Sequence, residues 1–393
     1  MPKRLLSLWL LLLLTLLLLG ATRPAAAQGL ASSAQGLALC PPGLAADRPV
    51  NCAPLGPAAY LEHWAEMGVT FPLTPPPALP IASDWYSLPP EAQPHYAYVQ
   101  ADKARMYRRK GDGLETSRTA KTYPPGFVYV SYDWVTTVGR RRIYRVDAEG
   151  NLWMWGKDLL PTTPSTFRGV RLTAQPTRPF GWIVANRVHP RKAPGLHQEP
   201  WPQTLKRYTF IQVYAQQEAD GLTWYMIAPD MWVEQRWVGL VFPRENPPEG
   251  VTTSRWIEIN LYEQTLAAYE GNRLVFATLV SSGSPPFWTR PGLFAIYEKH
   301  PVTDMRGAFE ADRSDYYMLE DVPWTMYYDD ARALHGAYWH NYFGYRTSHG
   351  CVNLSIADAH WLFAWAQVGD QVYVWDPSGE TPTDPDLYGP GGF

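Results

Sequence analysis

His335-Gly-Ala-Tyr-Trp-His340, followed by Tyr345-Arg-Thr-Ser-His-Gly-Cys-Val-Asn353, decides how this chain is read. These segments hold one of the three cysteines and three of the nine histidines. A thiol is a good nucleophile only as thiolate, and a neighbouring imidazole is the usual device for taking its proton. Gly350, directly before Cys351, lets the backbone bend and approach a substrate; amides around such a bend can face a developing oxyanion. Base, bend and nucleophile thus fall within residues 335–351.

Ser348-His-Gly-Cys-Val-Asn353, preceded by His335-Gly336, resembles the signature of the L,D-transpeptidase catalytic domain, also called YkuD. Asn260-Leu-Tyr-Glu-Gln-Thr-Leu266, Val280-Ser-Ser-Gly283 and Thr289-Arg-Pro-Gly-Leu-Phe294 resemble the opening strands of that family, so the resemblance spans residues 254–376. It implies a β-sandwich with the site in a cleft of the sheet. Residue by residue it implies Cys351 as nucleophile, His335 as its base, and the backbone carbonyl of Gly336 as the group that orients the imidazole. His349 and Gly350, with Cys351, are expected to supply oxyanion-hole amides. Arg346 is expected either to pair with a substrate carboxylate or to stand solvated, and Ser348 and Asn353 to shape the turn at the substrate through local hydrogen bonds. The implied reaction attacks the bond between the third residue of a peptidoglycan stem, at its L-centre, and the following D-alanine. The acyl-thioester on cysteine passes to an amine of a second stem, making a cross-link, or to water. No metal or organic cofactor is implied; the partners are stem peptides and glycan.

The amino-terminal end reads as an export signal. Lys3 and Arg4 precede an apolar run from Leu5 to Leu19, and Ala25-Ala26-Ala27 supplies small residues for cleavage after Ala27. The alternative is an uncleaved anchor, the only membrane contact expected. Either way the remainder is extracytoplasmic, secreted or wall-associated. Cys40 and Cys52 are then expected to form a disulfide, with two free thiols as the alternative, and Cys351 is left as the odd thiol. Residues 61–68 suit a short helix, and the five prolines between Pro72 and Pro80 read as a linker, so 28–84 forms an amino-terminal segment.

Charged residues make up 18% of the chain and aromatics 14%, with 18 Trp and 24 Tyr. That balance suits a β-rich protein presenting grooves to sugars or peptides. A net charge of −3, made more negative by loss of Lys3, Arg4 and Arg23, gives no sign of nucleic acid, which would call for a basic patch. A monomer is expected.

Two similar blocks follow the linker, 85–165 and 178–245. Val128–Tyr132, Ile143–Val146 and Asn151–Trp155 read as strands of the first; Phe210–Tyr214, Trp224–Ile227 and Trp232–Val238 take the same places in the second. Short strands between Gly, Pro and Asp indicate small antiparallel barrels. The pattern resembles bacterial SH3-like domains, with Trp153, Trp155, Trp232 and Trp237 either filling cores or lining a groove. The last domain, 254–376, alternates in Arg255–Asn260 and turns at Glu270-Gly-Asn-Arg273 into Leu274–Val280. Strands Leu293–Tyr297, Met326–Tyr328 and Ala331–His335 follow. Ser355-Ile-Ala-Asp358 opens a helix to about Gln367, with Trp361, Leu362 and Trp365 on its buried face, and Gln371–Trp375 is a final strand. A helix so close behind Cys351 is expected to help lower the thiol pKa. Residues 377–393 read as a flexible tail.

The expected fold is therefore mostly β: two SH3-like barrels and a YkuD-type sandwich with one main helix. Two competing functions remain. Cys351, His335, His340 and His349 have the chemistry of zinc ligands, although only His335 and His340 show zinc-site spacing. An inactive wall-binding module is the other, against which all the matching catalytic residues are present. Among enzymes, hydrolysis by an L,D-carboxypeptidase is the alternative to cross-linking. Other wall-directed cysteine peptidases place Cys before His, and sortases call for a different cysteine context and a following arginine.

Overall fold

Arg255–Asn260 is buried along almost its whole length, which requires neighbours on both edges and cover on both faces. Thr265–Glu270 pairs with it antiparallel and Gln371–Trp375 parallel. Glu270 pairs with Arg273 across a tight turn whose corner, Gly271, sits at φ +58°, and the chain returns as Arg273–Leu279. Gly292–Ala295 and Val170–Arg171 complete a six-stranded sheet. The structure is a computed structural model that describes residues 79–82, 95–110, 118–147, 149–308, 312–313 and 315–388. The expected leader, Cys40, Cys52, the short helix and nearly all of the linker lie outside these residues.

A second sheet faces the first. Its path runs Val352–Leu354, Arg332–Gly336, Tyr317–Asp329, Phe127–Tyr132, His95–Val99, Leu159–Pro161, and Glu298–Gly307 also pairs with Tyr317–Asp329. Between the sheets lies an apolar core that includes Ile257, Leu266, Phe276, Met326, Leu334 and Val352. The expected helix is Ile356–Trp365, packed on Tyr317–Asp329 and Arg332–Gly336. Ser355 caps it, its hydroxyl accepting from the Asp358 amide at 3.2 Å. Ala359 and Leu362 are buried, while Trp361 stacks on Phe276 at 4.3 Å and, like Trp365, stays half-buried. Asp358 does not complete a reciprocal box. It is fully buried and accepts from the Gly169 amide, at 3.0 and 3.1 Å, and from the Thr278 hydroxyl at 2.5 Å. Desolvation pushes its pKa up to about 6.

The blocks ahead of this domain contain the expected strands, but among the described residues they form open sheets and no closed barrel. In the first, Thr119–Thr122, Arg105–Tyr107, Leu152–Trp155, Arg141–Asp147 and Trp134–Val138 make a five-stranded sheet. The other three strands of the block join the sheet that carries His335 instead. Phe127, Val128 and Tyr129 pair in parallel with Tyr317, Met318 and Leu319. The second block divides into Phe210–Gln212, Phe180–Ile183, Val238–Val241; a pair, Arg187–Val188 with Leu205–Lys206; and Ala215–Ala219, Leu222–Ala228, Met231–Glu234. Trp153, Trp155 and Trp232 are buried, as expected of core residues, and Trp237 is 40% exposed.

Of the expected tail, residues 377–388 are described and carry hydrogen bonds. Asp376 accepts from the Ser378 and Thr381 amides at 2.9 and 3.0 Å, Thr381 is buried, and the Tyr388 hydroxyl donates to Pro382 O at 2.5 Å. Proline, glycine and aspartate in this part build hydrogen-bonded turns.

Candidate active site

Arg332–Gly336 and Val352–Leu354 lie side by side in parallel, with Leu334 opposite Val352, His335 opposite Asn353 and Gly336 opposite Leu354. Paired residues of parallel strands share a face, and the side-chain period of two carries that face back to position 351. His335, Asn353 and Cys351 accordingly line one cleft of about 1470 Å³. Residues far apart in the sequence meet here because the second strand leaves the Ser348–Gly350 loop in register with the first.

His335 is 2% exposed, with its Nδ1 3.3 Å from the carbonyl oxygen of Gly336. A carbonyl can only accept, so this contact places the ring proton on Nδ1 and leaves Nε2 with a lone pair. Trp339 covers the ring at a centroid distance of 5.6 Å. Burial pulls the imidazole pKa down to about 4, partly offset by the Gly336 contact. Cys351 is a free, half-buried thiol whose Sγ lies 3.7 Å from Ala331 O. Burial pushes its pKa up, opposed by a backbone hydrogen bond from Ala333 and by the charge of Arg332. Both shifts favour a neutral thiol beside a neutral imidazole at pH 7. The expected lowering by the helix is overridden: the strand Val352–Leu354 separates Cys351 from the first helical turn, and a helix dipole acts only close to that turn.

The loop before Cys351 is held by its own hydrogen bonds. Ser348, 7% exposed, donates its hydroxyl to Cys351 O at 2.5 Å and accepts from the Gly350 amide at 3.1 Å. The Gly350 amide is thereby committed to the loop rather than to an oxyanion, and the Ser348 hydroxyl to the turn rather than to substrate. Gly350 sits at φ +118°, and a Cβ there would come within 3.3 Å of Arg332 Nε, so both conformation and space call for glycine. His349 lines the cleft, its ring stacked on Tyr317 at 5.7 Å and tilted over Phe287 at 4.8 Å. Partial burial lowers its pKa, with Asp315 opposing.

Arg346 is not at the cleft. Its guanidinium donates to Asp376 at 3.1 Å and to Leu261 O at 3.1 Å, and lies over the Trp288 ring. The expected substrate carboxylate is replaced by one from the chain's own tail, which no local pattern in the sequence could reveal. Arg332, which the sequence reading passed over, lines the cleft instead. It donates to Asp329 at 3.2 Å, and Arg290 grips the same carboxylate through both of its oxygens. Asp329 is 3% exposed and Arg332 5%. Removing one member of a buried charge cluster strands the others. Asp329→Ala is therefore expected to lower unfolding free energy by about 3 kcal/mol in chemical denaturation; a loss below about 1 kcal/mol would mean the arginines find water instead.

Asn353 is 2% exposed and its amide meets His340 Nε2 at 3.0 Å. His340 Nδ1 accepts from the Tyr342 amide at 3.2 Å, and burial, followed by the nearness of His335, lowers its pKa to about 4. A neutral His340 that accepts at Nδ1 carries its proton on Nε2, so the Asn353 atom facing it has to be the carbonyl oxygen. The amide NH₂ then takes the other position, which is buried and has no hydrogen-bond partner within the protein. Asn353, a residue of the cleft lining, thus keeps a spare buried donor. Among the described residues no three His, Cys, Asp or Glu side chains gather as a metal site would need.

Among solved structures, the chain resembles an L,D-transpeptidase from Stackebrandtia nassauensis at 24% identity, covering 37% of this chain and 63% of that one, with a TM-score of 0.27. It also resembles the C442S mutant of the Enterococcus faecium L,D-transpeptidase, at 24% identity over 31% and 50% of the two chains, TM-score 0.29. An L,D-transpeptidase from Mycobacterium smegmatis aligns at 19% identity over 53% and 89%, TM-score 0.30. The chain thus spans less than two thirds of the first two. No curated protein matches the sequence. The part of the chain that folds around Cys351, residues 254–374, matches the family model of the L,D-transpeptidase catalytic domain, YkuD.

Proposed function

We propose that this protein is an exported peptidoglycan L,D-transpeptidase with Cys351 as its nucleophile. The observation that carries the reading is the adjacent placement of His335 and Cys351 on one sheet face, with Gly336 O holding the histidine tautomer that leaves Nε2 as acceptor. The match of residues 254–374 to the YkuD model supports it.

In this reading the thiol proton passes to His335 Nε2 as Sγ attacks the carbonyl carbon of the stem's third residue. The tetrahedral oxyanion is met by the Cys351 amide and by the charge of Arg332, and the Asn353 NH₂ positions a substrate carbonyl. Collapse breaks the bond to D-alanine, whose amine takes the proton from the imidazolium. An acceptor amine then attacks the thioester, gives its proton to His335, and Cys351 leaves as the thiol. Water entering in place of the amine gives hydrolysis, so the cleft has to admit the acceptor preferentially. The aromatic-rich blocks 85–165 and 178–245 are read as the part that holds the enzyme on the wall.

Purified stem peptides provide the test. Mass spectrometry is expected to show a tetrapeptide losing D-alanine and gaining an acceptor stem at the third residue. Free D-alanine with only the shortened peptide would make the enzyme a carboxypeptidase, and no turnover of any stem would remove the reading. A carbapenem is further expected to add one drug mass to the intact protein.

A further inference from the structure

The cleft has a wall that the catalytic domain does not supply. Tyr98, Gly126 and Phe127, from the block expected to be a separate barrel, line the same cavity as Cys351 and His335. Phe127 pairs in register with Tyr317, whose ring stacks on His349, two residues from Cys351. Gly126 makes the junction possible: at φ +145°, a Cβ on it would sit 2.3 Å from Tyr316 O. The neighbouring Phe127 amide donates to that same oxygen at 2.9 Å.

The wall is aromatic and rigidly backed. Phe127 lies 4.9 Å from Tyr129, and Tyr98 lies 5.1 Å from Tyr129. Tyr129 abuts the fully buried Tyr338, and Tyr338 abuts Trp339 over His335. Phe127 nevertheless keeps 43% of its surface exposed at the cavity. Asp304 and Arg306 line the same space. A flat apolar face flanked by groups that bond hydroxyls is what a pyranose ring requires, since its C–H faces are apolar and its rim is polar.

We propose that Tyr98 and Phe127 form a platform for the sugar that carries the stem peptide. This rests on the peptidoglycan reading of the Cys351 site. Three extended residues reach about 10 Å. Cys351 and the platform line one cavity of about 1470 Å³, so a stem held with its third carbonyl at Cys351 Sγ runs through that cavity and brings its sugar toward Phe127.

The test compares two donors, a free tetrapeptide and the same tetrapeptide on its disaccharide, each with the same acceptor. The ratio of their kcat/KM values reads the sugar contribution alone. Wild type is expected to favour the sugar-bearing donor by about tenfold or more; Phe127→Ala should cut that ratio about tenfold, and Phe127→Trp, which keeps a flat face, should preserve it. Turnover of the free tetrapeptide in each variant reports that the fold and Cys351 chemistry survive. A wild-type ratio near one, or a ratio that Phe127→Ala leaves in place, overturns the platform while the transpeptidase reading stands. A rise in acceptor KM with an unaltered donor ratio also overturns it and puts the second stem there. If wild type turns over neither donor, the transpeptidase reading falls and the platform with it.

Discussion

Cys351→Ala is expected to abolish stem-peptide turnover and carbapenem acylation, a loss on the order of 10⁴–10⁶ in rate. The size follows from the chemistry rather than from packing. The acyl group has to be carried covalently between donor and acceptor, and alanine leaves no atom to carry it. Serine restores an oxygen, but one far less acidic than a thiol and without sulfur's nucleophilicity, so Cys351→Ser is expected to be almost as inactive. Truncating one half-buried sulfur at a loop end costs the fold little: the loop is held by Ser348 and by Thr289, whose hydroxyl donates to Gly350 O at 2.8 Å, and neither bond uses Sγ. Intact mass after drug incubation is the check. A one-drug adduct on the alanine variant, or turnover within tenfold of wild type, would take the nucleophile's role from Cys351.

How the chain announces this site is instructive in what it leaves out. His335, Gly336 and Cys351 were legible because their order and spacing are rare and because strand, loop and strand are local patterns. The helix after Cys351 was legible from Ser355 and its apolar side for the same reason. Parallel pairing of Phe127 with Tyr317 was not, since register between distant strands leaves no mark on either strand's own alternation. The first block therefore read as a barrel of its own, although three of its strands extend the sheet that bears His335.

The arginines show the same limit. Arg346 stands next to the Thr347–Asn353 run and read as a substrate ligand, whereas Arg332 in a strand read as nothing in particular. Which guanidinium faces the cleft depends on where Asp376 and Asp329 come to rest, and both arrive through the tertiary fold. Protonation behaved likewise. The sequence suggested an activated thiolate, but burial of both partners acts against charge on either one, raising the thiol and lowering the imidazole.

That neutral resting pair sharpens what separates the two histidines of the site. His335→Ala is expected to slow acylation of Cys351 at pH 7 by a factor on the order of 10²–10⁴, the usual worth of a general base. His349→Ala is expected to lose about tenfold or less, because its backbone amide survives and its ring stacks on Tyr317 and Phe287 rather than on a group that fixes its tautomer toward Cys351. The pH profile distinguishes a base from a structural residue. With the His335 pKa lowered to about 4, the imidazole can accept a proton at any pH above that value, so wild-type rates should rise through about pH 4 and then level. Without His335 the thiol has to ionise unaided. The rate should then keep climbing about tenfold per pH unit toward the thiol pKa, which burial holds above its ordinary value. Folding has to be followed in parallel. A histidine pKa lowered by the fold means stability present above the unfolded value of about 6.5 and lost as pH falls toward 4, and both His335 and His340 contribute in that sense. Initial rates of carbapenem acylation, with near-ultraviolet circular dichroism at each pH, give both quantities. If His349→Ala abolishes the plateau and His335→Ala keeps it, the base is His349, and the Gly336 contact serves only to anchor a buried ring.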